Sequence, residues 1–203
     1  MKTTVLTLSL LTLALAAAPA LAHDHGDKMA NDEGAYEVYV IDPVHSGISF
    51  KIRHFFTKVP GSFGNFEGKI KVDRENIANS KVMAAVTVAS INTNNQDRDE
   101  HLRSDDFFGV ESHPEATFTS TQWEQIDGNT FKVTGDLTLM GTTQPVTLDV
   151  ELLGFGEGRN GAMLAGWDAT TTLDRTDWGM SSNPVLGDEV DITINIQAKK
   201  QES

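Results

Sequence analysis

Few residues of this chain stand where their chemistry could be put to use, and the histidines come first. His23 and His25 follow the small-x-small triplet Ala20-Leu21-Ala22. Cleavage after Ala22 would leave a chain beginning His23-Asp24-His25, with a free amine and a histidine in third place. That amine, two backbone nitrogens and the His25 imidazole can form a square-planar Cu(II) or Ni(II) site, and His23 can chelate copper by itself. A solvated tail that meets metal only adventitiously would read the same. His54 closes an apolar run, where it could meet a polar group or simply cap a strand. Arg98, Asp99 and His101 share one polar stretch, and Arg175 lies in the segment 174–180. An arginine fork suits a phosphate or carboxylate head group. Helix caps and ion pairs use the same residues. No GxSxG elbow, HExxH, phosphate-binding loop or CxxC occurs, so the motifs of nucleophilic, zinc and nucleotide chemistry are missing. Asp105 and Asp106 are neighbours in sequence, which does not set two carboxylates face to face. These residues suit holding a molecule better than converting it.

The elements that must carry them are strands. Eight stretches alternate apolar with polar residues: 44–54, 64–72, 80–91, 116–123, 130–140, 144–153, 163–173 and 189–198. Period two with charge on one side means one dry face and one wet face. Val44, Ile48, Phe50 and Ile52 oppose Ser49, Lys51 and Arg53, with His54 in step with the dry set. In the last stretch Val190, Ile192, Ile194 and Ile196 oppose Asp191, Thr193, Asn195 and Gln197. Residues 36–41 read as a short strand or an extended lead-in. Asp127-Gly128 and Gly141-Thr142 are turns, 156–161 is a loop, and short links imply antiparallel neighbours. The fold class expected is all-β: an eight-stranded antiparallel up-and-down (lipocalin-like) barrel with a short helical flap. The wet faces carry Lys51, Arg53, Glu67, Lys69, Lys71 and Asp149, too much charge for a wall facing lipid.

Inside such a barrel the dry faces supply Phe50, Ile52, Phe66, Val86, Val88, Leu137, Leu139, Leu148 and Trp167. Each suits a packed core as well as a ligand, because eight strands enclose little spare volume. The small residues Gly68, Ala84, Gly135, Ala165 and Ala169 on these faces argue for a hollow interior. The polar stretch 94–104 predicts a short capped helix. Phe107 and Phe108 follow it, and with Trp178 and Met180 they are expected to close the mouth.

Composition sets the setting. Lys2 precedes an apolar run over 5–18, and residues 1–22 therefore read as a cleavable export signal, too short for a membrane span. Residues 23–35 read as a flexible polar tail and 36–199 as the barrel domain. There is no Cys, so neither disulfides nor a lipid-bearing cysteine. The formal charge of −13 becomes −14 once Lys2 is removed, and such a surface repels nucleic acid and anionic membrane faces. The expectation is a protein of the periplasm without stable membrane insertion.

Several motifs, in order, resemble the YceI-like family of exported, lipocalin-like proteins. They are IDPVHSGISF at 41–50, Arg53-His54, GSFGNFEG at 61–68, and RDEHLRS at 98–104 with Asp106, Phe107 and Phe108. Pro114, Phe118 and Ser120 follow, then GDLTL at 135–139 with Gly141, Thr143, Pro145 and Val146, and DRTDWGM at 174–180. The resemblance implies a barrel whose cavity takes a long amphiphilic chain, a polyisoprenoid or isoprenoid quinone-like lipid, and it implies no established catalytic residue and no cofactor. Arg98, His101 and Arg175 would then be head-group candidates. A periplasmic copper-binding or redox-accessory protein using the histidine tail is the alternative, and an isomerase or hydrolase acting on a bound lipid is a third. A homodimer and a membrane redox or lipid-handling partner stay open, with no residue marking an interface.

Overall fold

The alternating segments pair edge to edge into a closed antiparallel wall. The computed structural model describes residues 36–202 apart from Asn160 and Ser182. The export signal expected at 1–22 and the tail 23–35, with His23 and His25, lie outside the described residues. The strands are β1 (Tyr36–Ile41), β2 (Gly47–His54), β3 (Thr57–Phe63), β4 (Phe66–Asp73), β5 (Lys81–Thr87) and β6 (Ile91–Asn92). After the helix α1 (Gln96–Arg103) come β7 (Glu115–Asp127), β8 (Thr130–Leu139), β9 (Thr142–Glu157), β10 (Met163–Asp174) and β11 (Leu186–Lys200). Hydrogen bonding runs β1-β4-β5-β7-β8-β9-β10-β11, and β11 returns to β1.

That ring has eight staves, three of them broken in two. β1 and β2 pair with successive parts of β11, while β2 pairs with β3 and β3 with β6. β1–β2, β3–β4 and β5–β6 are thus single staves interrupted at 42–46, 64–65 and 88–90. The segment 36–41, open between strand and lead-in from sequence, is a strand bonded on both edges. Residues 57–63 are a strand that the sequence reading lacked. The stretch 80–91, expected as one strand, is cut by a 3-10 turn at Val88–Ser90. β9 continues through Gly156 to Glu157, into what reads as a loop.

The breaks have local causes. Pro43 has no amide to donate, and Asp42 folds the chain by accepting from Val44 N at 3.0 Å and by pairing with His45 Nδ1 at 2.6 Å. Ser90 ties the other two breaks together, its carbonyl accepting from Gly64 N at 3.3 Å and its hydroxyl from Asn65 N at 3.1 Å.

The two ends of the barrel differ. One carries the short links 73–81, 127–130 and 157–163 and is filled by buried Tyr39, Trp123, Phe131, Trp167 and their neighbours. The other carries the β2–β3 turn, α1 and the segment 174–186. Asn95 caps α1 by accepting from Arg98 N at 3.0 Å, with acids in the first turn and His101 and Arg103 in the last, as the helix dipole favours. Arg103 fastens the helix to the wall, donating from Nε to Ala89 O and from Nη2 to Ile91 O, both at 2.8 Å. β3 meets β6 only at Ser62↔Asn92 and Phe63↔Ile91. Along the rest of that edge no strand follows among the described residues.

Candidate functional site: a blind apolar cavity

The inward faces enclose a cavity of about 470 Å³, within the range of small-molecule sites. Its wall is hydrocarbon almost throughout. Phe50 and Ile52 reach it from β2, Phe66 from β4, Val86 from β5 and Val88 from the 3-10 turn. Leu137 and Leu139 come from β8, Leu148 from β9 and Trp167 from β10. Val190, Ile192, Ile194 and Ile196 line it from β11. Sequence reasoning missed Val59 and Phe63, which face inward from β3. They stand four residues apart with Pro60 and Gly61 between them, which interrupts the apolar alternation. Pro60 is tolerated because β3 has an almost unpartnered outer edge.

The small residues act differently from expectation. A side chain at Gly68 would meet Met83 O at 2.7 Å and Ile41 Cδ1 at 2.8 Å. One at Gly135 would strike the Phe118 ring at 2.5 Å. Large neighbours fill those places, so these glycines permit close packing rather than leave room. Ala165 belongs to the packed end. Ala84 and Ala169 do border the cavity.

Below, the cavity is shut. The Tyr39, Phe155 and Trp167 rings form a triangle with centroids 5.8, 6.0 and 6.2 Å apart, mostly edge to face. A β-bulge opposite Gly166 and Trp167 puts one extra residue into β9, so Leu152 and Phe155 both turn inward while Leu153 stays exposed. Arg74 lies 3.8 Å over the outer face of the Phe155 ring. The Tyr39 hydroxyl donates to Glu37 at 2.8 Å, and Glu37 is also paired with Lys200 at 2.6 Å and Arg74 at 3.4 Å. Burial first, then the hydrogen bond to the Glu37 carboxylate, pushes Tyr39 up to about 12. The hydrogen bond from Lys200 holds Glu37 below the usual carboxylate range.

Above, the aromatics expected at the mouth are there. Phe107, Trp178 and Met180 are buried, and Trp178 donates from Nε1 to Leu137 O at 3.4 Å. Phe108 sets its ring edge-on to Phe63 at 6.1 Å, beside the short β3–β6 pairing. Phe63 in turn lies 5.7 Å from Phe50. The rings of Phe107 and Phe108 continue the hydrocarbon wall.

The head-group candidates border the cavity but are bound to the protein. Arg98 donates from Nε to Thr93 Oγ1 at 2.7 Å and from Nη2 to Thr93 O at 2.8 Å. Asp99 accepts from the same threonine's amide and hydroxyl. Arg175, 5% exposed, donates to the carbonyls of Gly187, Met180, Asn183 and Leu186 and pairs with Asp188 at 3.0 Å. It knots the segment 175–188 into a fixed rim. His101 is exposed, pairs with Asp106 at 3.3 Å and sets its ring against Phe107. His54 borders the cavity with its ring 4.8 Å from Phe55. No group of metal-ligating side chains occurs among the described residues. The carboxylates with lowered pKa, Glu37, Asp42, Asp73, Asp174 and Asp191, hold turns and ion pairs outside the cavity, where they serve structure rather than acid–base chemistry. The arrangement can desolvate an apolar chain.

Both the sequence and the geometry have counterparts among known proteins. Residues 39–198 match the model of the YceI-like domain. Protein YceI of Escherichia coli O157:H7 is 35% identical over 205 residues, covering 99% of this chain and all of that one. The Campylobacter jejuni YCEI crystal structure superposes with a TM-score of 0.67 at 31% identity, over 87% of this chain and 96% of that one. A polyisoprenoid binding domain from Saccharophagus degradans shares the fold at a TM-score of 0.60 and 15% identity, over 80% of this chain and 98% of that one.

Proposed function

This chain belongs to the YceI-like domain family, and from that premise we propose that it is a periplasmic carrier, not an enzyme, that sequesters a long isoprenoid-type lipid. The blind hydrocarbon cavity carries the reading. A chain drawn from water into it gains about 25 cal/mol for each Å² of apolar surface removed from solvent. The fold neighbour from Saccharophagus degradans, named for polyisoprenoid binding, supports that choice of cargo, and the leader-like residues 1–22 support export. Arg175 spends its donors on the protein itself, whereas exposed Arg98 gives two N–H bonds to Thr93, so a head group is left to the rim, near Arg98, His54 and His101.

The test is mass spectrometry of protein purified from the exported fraction, native and then after organic extraction. A discrete co-purifying mass released as an isoprenoid lipid is the expected result. Protein that arrives empty and also refuses added isoprenoid chains would overturn the proposal.

A further inference from the structure

The turn between β2 and β3 is two residues long, and both are phenylalanine. His54 pairs with Thr57 across it, leaving Phe55 and Phe56 as the tip. Phe56 is fully exposed and Phe55 more than half so. Phe55 also takes a φ of +52°, at a position where hairpins favour Gly, Asn or Asp and where a bulky side chain is an outlier. Neither ring is there to fill a core. Phe55 stacks on Phe56 at 6.4 Å and meets the His54 ring edge-on at 4.8 Å, and His54 borders the cavity. An aromatic path thus runs from the exposed turn to the mouth. The charged residues of 51–58 are Lys51, Arg53 and Lys58, all basic in a chain of net −13. Lys58 is ion-paired with Asp191, and all three are exposed.

Exposed aromatic rings flanked by cations match the chemistry of a bilayer interface, with rings at the acyl boundary and cations among phosphates. The strained backbone of Phe55 supports purpose over accident, because a Phe held at positive φ persists only where something rewards it. We propose that the Phe55–Phe56 tip is a reversible contact with a phospholipid bilayer, which seats the cavity mouth against lipid so that a hydrocarbon chain passes between them without crossing water. The proposal rests on the lipid-carrier reading. The overall negative charge directs the contact to zwitterionic rather than strongly anionic surfaces.

Flotation of protein from the exported fraction with phosphatidylcholine vesicles tests it, using Phe56→Ser and Phe55→Gly. Wild type is expected to float, and each variant to lose about tenfold in vesicle partitioning, the worth of one phenylalanine ring taken out of lipid. Co-purified lipid should be unchanged in both variants. Phe55→Gly should melt no lower than wild type, since Gly accepts the positive φ, so its loss of binding could not be blamed on unfolding. Variants that float like wild type would overturn the inference. So would a lipid-loaded wild type that ignores vesicles, or a Phe56→Ser change that only dissolves a dimer on gel filtration. Tip-dependent flotation of a protein that holds no lipid would support the contact and overturn the carrier reading.

Discussion

One methyl group of the cavity wall, that of Ala84, has room to grow inward. It sits on β5 between Gly68 and Phe118 on the adjoining strands and borders the cavity. Gly68 cannot grow, because Ile41 and Met83 already occupy its space, whereas Ala84 faces the 470 Å³ interior. Ala84→Phe should therefore place a ring where cargo would lie. The expected outcome is loss of the co-purifying lipid, with a stability change within about 1.5 kcal/mol, since filling open space avoids the clashes of an overpacked core. Organic extraction followed by a thermal melt would show both effects. Full cargo with a collapsed melting temperature would mean that the site is packed rather than open. At the same scale Arg175 has a different place from the one its chemistry suggests. A buried guanidinium surrounded by four carbonyls and Asp188 cannot offer a free fork to an anion.

At the scale of elements the flap is fastened to the wall by a few side chains. Arg103 holds α1 to the carbonyls of Ala89 and Ile91, and Phe108 packs edge-on against Phe63 of β3. Removing the tether should ease opening without altering the cavity. Arg103→Ala is expected to cost the closed flap about 1–2 kcal/mol and to speed lipid exchange by about 5- to 30-fold. Transfer of a fluorescent isoprenoid chain between protein and vesicles would measure that rate, and an unchanged rate would mean that exchange does not pass the flap. These elements also show what a sequence can disclose. Alternation in 130–140 and 189–198 was plain, because each strand has one wet and one dry face, and so Leu137, Leu139 and the β11 isoleucines could be assigned to the interior. The breaks at 42–46, 64–65 and 88–90 were harder. They are made by contacts between distant segments, such as Ser90 with Gly64 and Asn65, and period two cannot announce them. β3 was hidden for a related reason: Pro60 forbids a central strand, and only the tertiary setting reveals an edge.

For the molecule as a whole, stability and shape meet at the closed end. Tyr39 is wholly buried there, and its hydroxyl titrates near 12 when folded against about 10 when free. Below pH 10 both states keep the proton and the contribution is intact. Between about 10 and 12 the unfolded chain releases the proton first, so stability falls as pH rises, by about 2–3 kcal/mol over the window. Urea unfolding at a series of alkaline pH values should show this decline, and Tyr39→Phe should flatten it. An equal slope in the variant would assign the loss to other groups. The aromatic floor also decides the order of traffic. A tube with one door admits no through-flow: the outgoing molecule must clear the passage before its successor starts down it. On the carrier reading, a chain that enters by its hydrocarbon end leaves by its polar end first, so each round of delivery would present the same end of the cargo to whatever receives it.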